Sequence, residues 1–273
     1  MTPVIAIMRK ELADAGRGRW LPVFAGAFAV VALVLCLVQA TSGDLGSQGF
    51  NRTTAGLINL CLLLVPLLAL VLGAGTIAGE RDRGTLATLL AQPISAAELV
   101  LGKFAGLNLA VWSAIALGFG GAGIVMALLT PLTDARHYLV FVALAGVLAT
   151  ATLSAGMLVS VLSDGRMKAL AIAIVLWFAM VLFYDLAAIG LALAFSPSGR
   201  GLLVTVLGNP VETVRILAVF SLEPDLEVLG PVGAYLVEEL GLRTAIALLA
   251  GALVTWISAP LLLAMWLLGR QDA

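Results

Sequence analysis

The chain has 273 residues, of which 62% are hydrophobic and only 11% charged, and its mean hydropathy is +1.11. A soluble domain covers its surface with about 25% charged residues, so a soluble fold is excluded and a membrane protein is indicated. The formal net charge of −1 decides little, because the placement of charge along a membrane chain is what sets its orientation.

The chain opens on a segment, 1–19, in which Val4, Ile5, Met8 and Leu12 recur at helical spacing while Arg9, Lys10, Glu11 and Asp14 form a polar side. The pattern predicts an amphipathic helix lying at the cytoplasmic membrane interface. Six apolar segments follow, near or above the ~18–20 residues that cross a bilayer core. They run over Trp20–Ala40, Leu57–Ala78, Leu101–Leu129, Tyr138–Leu162, Ala169–Phe195 and Ala245–Leu268. All six are expected to be helices, since an open strand leaves its backbone unpaired in lipid. The first is expected to be retained. Val38-Gln39-Ala40 looks like a small-residue cleavage site, but the apolar run is too long for a signal h-region, and Glu11 and Asp14 stand in the n-region.

Between the second and third spans lies Gly79-Glu80-Arg81-Asp82-Arg83-Gly84-Thr85-Leu86, a charged entry leading into a short amphipathic stretch that passes Leu89, ends near Ala91 and is stopped by Pro93. Ser95 followed by Glu98 is a capping-box pattern that opens the third span. A short helix held between two spans suits docking into a groove on a cytoplasmic partner; the plainer alternative is a polar turn with no partner. The fifth span contains Asp185, an acid in apolar surroundings. Intramembrane acids are costly and face a partner group or an interior, which leaves a structural hydrogen bond or a role in coupling as its two readings.

The segment 196–244 is long and acidic, with Glu212, Glu223, Asp225, Glu227, Glu238 and Glu239 against Arg200, Arg215 and Arg243. Within it, Asn209 is placed to cap, Pro210 fits a first helical position, and Glu212 and Arg215 are spaced to meet on one face. A helix is predicted from Pro210 to about Leu222. It is too short to span and is expected to lie across the outer interface.

Orientation follows from Lys and Arg in the flanks. Arg9, Lys10, Arg17, Arg19, Arg81, Arg83, Lys103, Arg166, Lys168 and Arg270 fall on one side, and Arg52, Arg136, Arg200, Arg215 and Arg243 on the other. Ten against five, over an even number of spans, places both termini in the cytoplasm. No linker or repeat divides the chain, so one domain is expected over 1–273.

The chemistry is sparse. Lys10, Lys103 and Lys168 are the only lysines and none closes a GxxxxGK[ST] loop, so ATP hydrolysis of the P-loop kind is not expected of this chain. His137 is the only histidine, and Cys36 and Cys61 form no CxxC pair. The inventory argues against a hydrolase or a metal site made by the chain itself. The two cysteines are expected about one turn from the outer ends of adjacent spans, either as a pair at similar depth or as two small buried residues. Glycines cluster at Gly75 and Gly79, at Gly102 and Gly106, and from Gly118 to Gly123, a spacing that lets helices pack closely in a bundle or dimer.

Taken together, Ile7-Met8-Arg9-Lys10-Glu11-Leu12-Ala13-Asp14, the loop from Gly79 to Ser95, and Leu101-Gly102-Lys103-Phe104 resemble the ABC-2 class of ABC-transporter permeases. The resemblance implies an all-α polytopic protein with six transmembrane helices in the type V permease fold, working as a homodimer. It implies an N-terminal interfacial helix and a coupling helix within about 79–98, so that Gly79, Glu80, Arg81, Asp82, Arg83, Gly84, Thr85, Leu86 and Leu89 would contact a separate cytoplasmic ATPase. This chain would then be non-catalytic and bind no cofactor, with ATP and Mg held by that partner. Trp177-Phe178, Tyr184-Asp185-Leu186 and Asn209-Pro210-x-Glu212-x-x-Arg215 are similar to the branch of the class that serves nitrous oxide reductase maturation in the bacterial inner membrane. That branch implies a NosF-type ATPase inside and a NosD-type β-helical protein in the periplasm, together supporting assembly of a copper–sulfur centre. Asn209, Pro210, Glu212 and Arg215 would then contact the periplasmic partner. The scarcity of Cys, His and ordered Met argues against copper passing through this chain, leaving mechanical transmission or movement of a sulfur-containing species. The rivals are an ABC-2 exporter of a lipid, peptide or drug without a periplasmic partner, and a scaffold that recruits an ATPase without transport.

Overall fold

A computed structural model describes residues 3–18, 20–41, 52–129, 135–184, 186–187, 190, 199–222, 233 and 235–271, and the structural statements below concern these. In chain order the helices are α1 (Pro3–Arg17), α2 (Trp20–Thr41), α3 (Arg52–Asp82), α4 (Thr85–Leu90), α5 (Ala96–Leu129), α6 (Ala135–Leu162) and α7 (Arg166–Phe178). A π turn over Ala179–Phe183 continues α7; then come α8 (Gly199–Leu207), α9 (Pro210–Leu222), a second π turn over Tyr235–Glu239, and α10 (Leu242–Gln271). No strand occurs among the described residues.

Five stretches are long and apolar enough to cross a membrane: Asn59–Asp82, Ala96–Gly121, Tyr138–Leu162, Arg166–Phe183 and Leu242–Gln271. Helix α2 stands where the first span is expected and carries no charge through its 22 residues. At 1.5 Å per residue it is about 33 Å long, enough for a bilayer core. The fifth expected span is described as helix up to Phe183, with Asp185 and most of the stretch to Phe195 outside the described residues.

Helices in lipid gain nothing from hiding apolar surface from one another, so close backbone approach has to hold the bundle. Small residues supply it. Helix α3 runs along α6, and the two notch each other reciprocally. A Cβ on Gly73 would lie 2.6 Å from the Leu153 carbonyl oxygen, and one on Gly156 would lie 2.5 Å from that of Leu70. Gly118 admits α2 in the same way, where a Cβ would meet that of Phe28 at 2.6 Å. Gly102 and Gly106 admit α1, against Ile7 and against the Met8 backbone. The other small-residue positions noted in the sequence behave differently: an added Cβ at Gly75, Gly120 or Gly121 meets nothing within 4 Å.

Two prolines interrupt the long helices, Pro66 in α3 and Pro260 in α10. A proline removes one intrahelical bond and disturbs the carbonyls of the preceding turn. In both cases a neighbouring side chain donates to the carbonyl three residues earlier. Trp177 Nε1 lies 2.9 Å from the Leu63 oxygen, and Ser154 Oγ 2.7 Å from the Ile257 oxygen. Such substitutes make a broken ladder tolerable in lipid.

Cys61 is buried at 2% exposure and lies within one turn of Asn59, where the membrane-crossing stretch of α3 begins; the Cys36 side chain is outside the described set. One expectation needs correction. Helix α9 has the predicted limits but does not lie across an outer surface. Val211, Val214 and Ala218 belong to the main core, and α9 packs on α6, α10 and α3. Helical periodicity and length are the same for a helix resting on a bundle and one inserted into it, so the sequence pattern did not distinguish them.

Candidate functional site

At one end of the bundle the turn after α3 gathers the ends of most other elements. The chain leaves α3 through Gly84, whose φ of +69° lies in the left-handed region that a side chain disfavours. It re-enters helix at once as α4. Leu86 faces inward at 8% exposure, while Arg83, Thr85, Ala87 and Thr88 face out. Leu89 is half-buried. A six-residue helix cannot sustain itself; Leu86 and the flanking turns hold it against the bundle.

Behind this exposed face the charged entry is engaged inward. Glu80 is 7% exposed, and its Oε1 accepts from Lys103 Nζ at 3.1 Å. Thr85 Oγ1 donates to the other carboxylate oxygen of Glu80 and, at 3.2 Å, to its backbone carbonyl. Arg83 reaches Glu80 from the solvent side at 3.5 Å. Lys103 also donates to Glu11 Oε1 of α1 at 2.5 Å. Glu11, expected on the solvated side of α1, therefore points into the protein. Buried ion pairs add little net stability, but removing one partner strands a charge and costs roughly 3–5 kcal/mol.

The next two residues tie in the remaining elements. Arg81 donates to the carbonyls of Ser163 and Val161, just past and at the end of α6, and at 2.8 Å to Gln271 Oε1 at the end of α10. Asp82 Oδ2 accepts from the Arg166 backbone N–H at 2.8 Å. That bond caps α7, whose N-cap residue, Gly165, has no side chain to do so. The expected capping box opens α5: the Ser95 N–H donates to Glu98 Oε2 at 2.8 Å, and the Glu98 N–H to Ser95 Oγ at 3.2 Å. Glu80, Arg81 and Asp82 thus fasten this turn to the bundle, Glu80 from within and Asp82 from the surface, and the residues exposed here are Asp82, Arg83, Gly84, Thr85, Ala87 and Thr88.

At the other end, α8 and α9 form a hairpin that dips into the bundle. Its turn, Gly208–Asn209, sits at mid-depth, since Trp256, halfway along α10, donates through Nε1 to the Leu207 carbonyl at 3.1 Å. The last carbonyls of a helix lack intrahelical donors, and here a different element serves each. Tyr184 OH donates to Thr205, Thr213 Oγ1 to Val206 at 2.9 Å, and Trp256 to Leu207. Asn209 is 1% exposed and uses both ends of its amide. Oδ1 accepts from the Val211 N–H at 3.0 Å, the predicted cap, and Nδ2 donates at 2.6 Å to the Met180 carbonyl inside the π turn. Glu212 and Arg215 form their predicted pair at 2.7 Å. Of the four external positions, Asn209 and Pro210 are buried, and only Glu212 and Arg215 keep exposed surface. Asp185 lies outside the described residues.

Sequence reasoning placed Lys103 in a motif but gave it no partner. A lone lysine seven residues into an apolar helix was the available signal, since such an ammonium needs carboxylates.

The chain matches the family model for ABC-2 family transporter proteins over residues 5–273. It is 33% identical to a probable ABC transporter permease protein NosY of Stutzerimonas stutzeri, over 99% of both chains. It is also 33% identical to a probable NosY permease of Pseudomonas aeruginosa, over 80% of this chain and 82% of that one.

Proposed function

The chain belongs to the ABC-2 family of transporter permeases, and from that premise we propose that it couples ATP hydrolysis by a separate cytoplasmic ATPase to a periplasmic partner. The observation that carries the reading is the arrangement around α4. An exposed helical face is backed by Glu80, Arg81 and Asp82, which fasten it to α5, α6, α7 and α10. A push on such a helix reaches most of the bundle, because each fastener is a charged hydrogen bond of the stronger kind. The α4 end faces the cytoplasm in this reading, as the Lys and Arg bias requires.

The likeness to NosY permeases supports a finer reading. The ATPase would be of the NosF type and the periplasmic protein a NosD-type β-helical protein, with the assembly serving copper–sulfur centre formation in nitrous oxide reductase. The permease would act as a homodimer. Mechanical transmission fits the inserted hairpin, which links the outer segment to α7 and α10 through Asn209 and Trp256. Purification in mild detergent tests the reading. Recovery of both a P-loop ATPase and a periplasmic repeat protein is expected. Recovery of the ATPase alone would favour an exporter of a lipid, peptide or drug. ATP-dependent uptake of a sulfur-35 label into inverted vesicles would replace transmission by export of a sulfur species.

A further inference from the structure

The outward face of α10 is largely uncovered: Ile246, Val254 and Leu262 are all exposed. Beside the hairpin that face is concave. A groove of about 670 Å³ is lined from α10 by Ala247, Gly251, Thr255 and Ala259, four apart on one helical face, and from the hairpin by Leu207. Between Ala247 and Pro260 it follows the helix for about 20 Å, a little more than the ~15 Å of hydrocarbon in one leaflet. Its polar side chains are already engaged. Thr255 Oγ1 donates to the Gly251 carbonyl at 2.9 Å and Trp256 Nε1 to the Leu207 carbonyl at 3.1 Å, which leaves the groove only apolar contact to offer. A Cβ added at Gly251 meets nothing within 4 Å, so this position opens into free space. Arg243 stands one turn before Ala247 on the same face and is exposed, at the end of the span, where basic side chains meet headgroups.

We infer that this groove is a binding site for an anionic phospholipid, with one of its acyl chains laid along the small residues of α10 and its phosphate at Arg243. The two ends of the site match the two ends of such a molecule. A guanidinium pairs well with phosphate oxygens, and the small side chains beyond it admit an acyl chain close to the α10 backbone. A second copy of this chain is the other apolar occupant. An isologous contact through the groove repeats one surface on both copies and would set Arg243 against its counterpart, like charge on like. The charge therefore selects the lipid. Bound there, the lipid is wedged between α10 and the turn that ends α8, and it steadies the hairpin at mid-depth. The inference needs only that α10 crosses a membrane, and it stands apart from the ATPase and periplasmic partners proposed above.

The test is native mass spectrometry of the full-length protein released from nanodiscs of phosphatidylglycerol and phosphatidylethanolamine in equal parts. Gly251→Leu fills the groove and Arg243→Gln removes the charge. The parent is expected to retain a phosphatidylglycerol that Gly251→Leu loses. Arg243→Gln should reduce the preference for phosphatidylglycerol roughly fivefold, the effect of one basic residue at an anionic surface, and Arg243→Lys should keep most of it. Added phosphatidylglycerol should raise the melting temperature of the parent and not that of Gly251→Leu. Equal retention by the parent and Gly251→Leu, or a preference unmoved by Arg243→Gln, would overturn the inference. So would a dimer that Gly251→Leu splits while lipid retention stays the same, since the groove would then hold a second copy. Arg243→Gln alters an exposed side chain only, and so decides the matter even if Gly251→Leu fails to fold.

Discussion

Asn209 spends its amide oxygen on the first turn of α9 and its amide nitrogen on the Met180 carbonyl, at 1% exposure. Asn209→Leu removes the cap, worth about 1 kcal/mol, and leaves a buried carbonyl unpaired, at about 1–3 kcal/mol more. Thermal unfolding in mild detergent should show the loss, and Asn209→Asp, which keeps the capping oxygen, should lose less. Equal melting of all three proteins would mean that the hairpin is not held at this point. The glycines offer a sharper contrast. Gly156→Ala drives a methyl to 2.5 Å from the Leu70 oxygen, whereas Gly251→Ala meets nothing within 4 Å. The first should cost about 1–3 kcal/mol by overpacking and the second almost nothing. At this scale the cap was legible because Asn209, Pro210 and Glu212 are neighbours in the chain. The Lys103 cluster was not, because Glu11 lies 92 residues away and no local pattern records such a meeting.

Among the elements, α7 depends on a cap borrowed from another helix. Asp82→Ala leaves the first turn of α7 without its acceptor, for a loss of about 0.5–2 kcal/mol. Amide hydrogen exchange should rise locally over the first turn of α7 and stay unchanged over the first turn of α5, which has its own Ser95–Glu98 box. Helix α4 is the other exposed test. Thr88→Pro removes an N–H within a six-residue helix, at ~3 kcal/mol or more, and is expected to abolish ATPase recovery while membrane insertion stays normal. Helix α9 makes the complementary case: Glu212→Arg should weaken the hairpin, and Glu212→Arg with Arg215→Glu should restore part of it. Element limits were largely legible, since Ser95, Pro210 and the uncharged runs mark their own boundaries. The insertion of α9 was not. A 13-residue apolar helix carries the same periodicity on a surface and inside a bundle, and only Tyr184, Trp256 and Met180, distant in sequence, specify the depth.

On the scale of the whole molecule, the proposed reading puts the α4 end in the cytoplasm and the hairpin toward the opposite face, on the strength of the Lys and Arg bias. Cys61 lies buried in α3, so a background with Cys36 and Cys61 replaced by alanine carries no reactive thiol. In that background Thr88→Cys, on the exposed face of α4, can be probed in intact cells and then in inverted membrane vesicles. The expected result is protection from a membrane-impermeant maleimide in cells, labelling in vesicles stripped of the ATPase, and a cross-link to a P-loop ATPase when that subunit is present. Labelling from outside intact cells, or an accessible Thr88→Cys that cross-links no ATPase, would contradict the assignment of α4 as the point where ATP hydrolysis enters this permease.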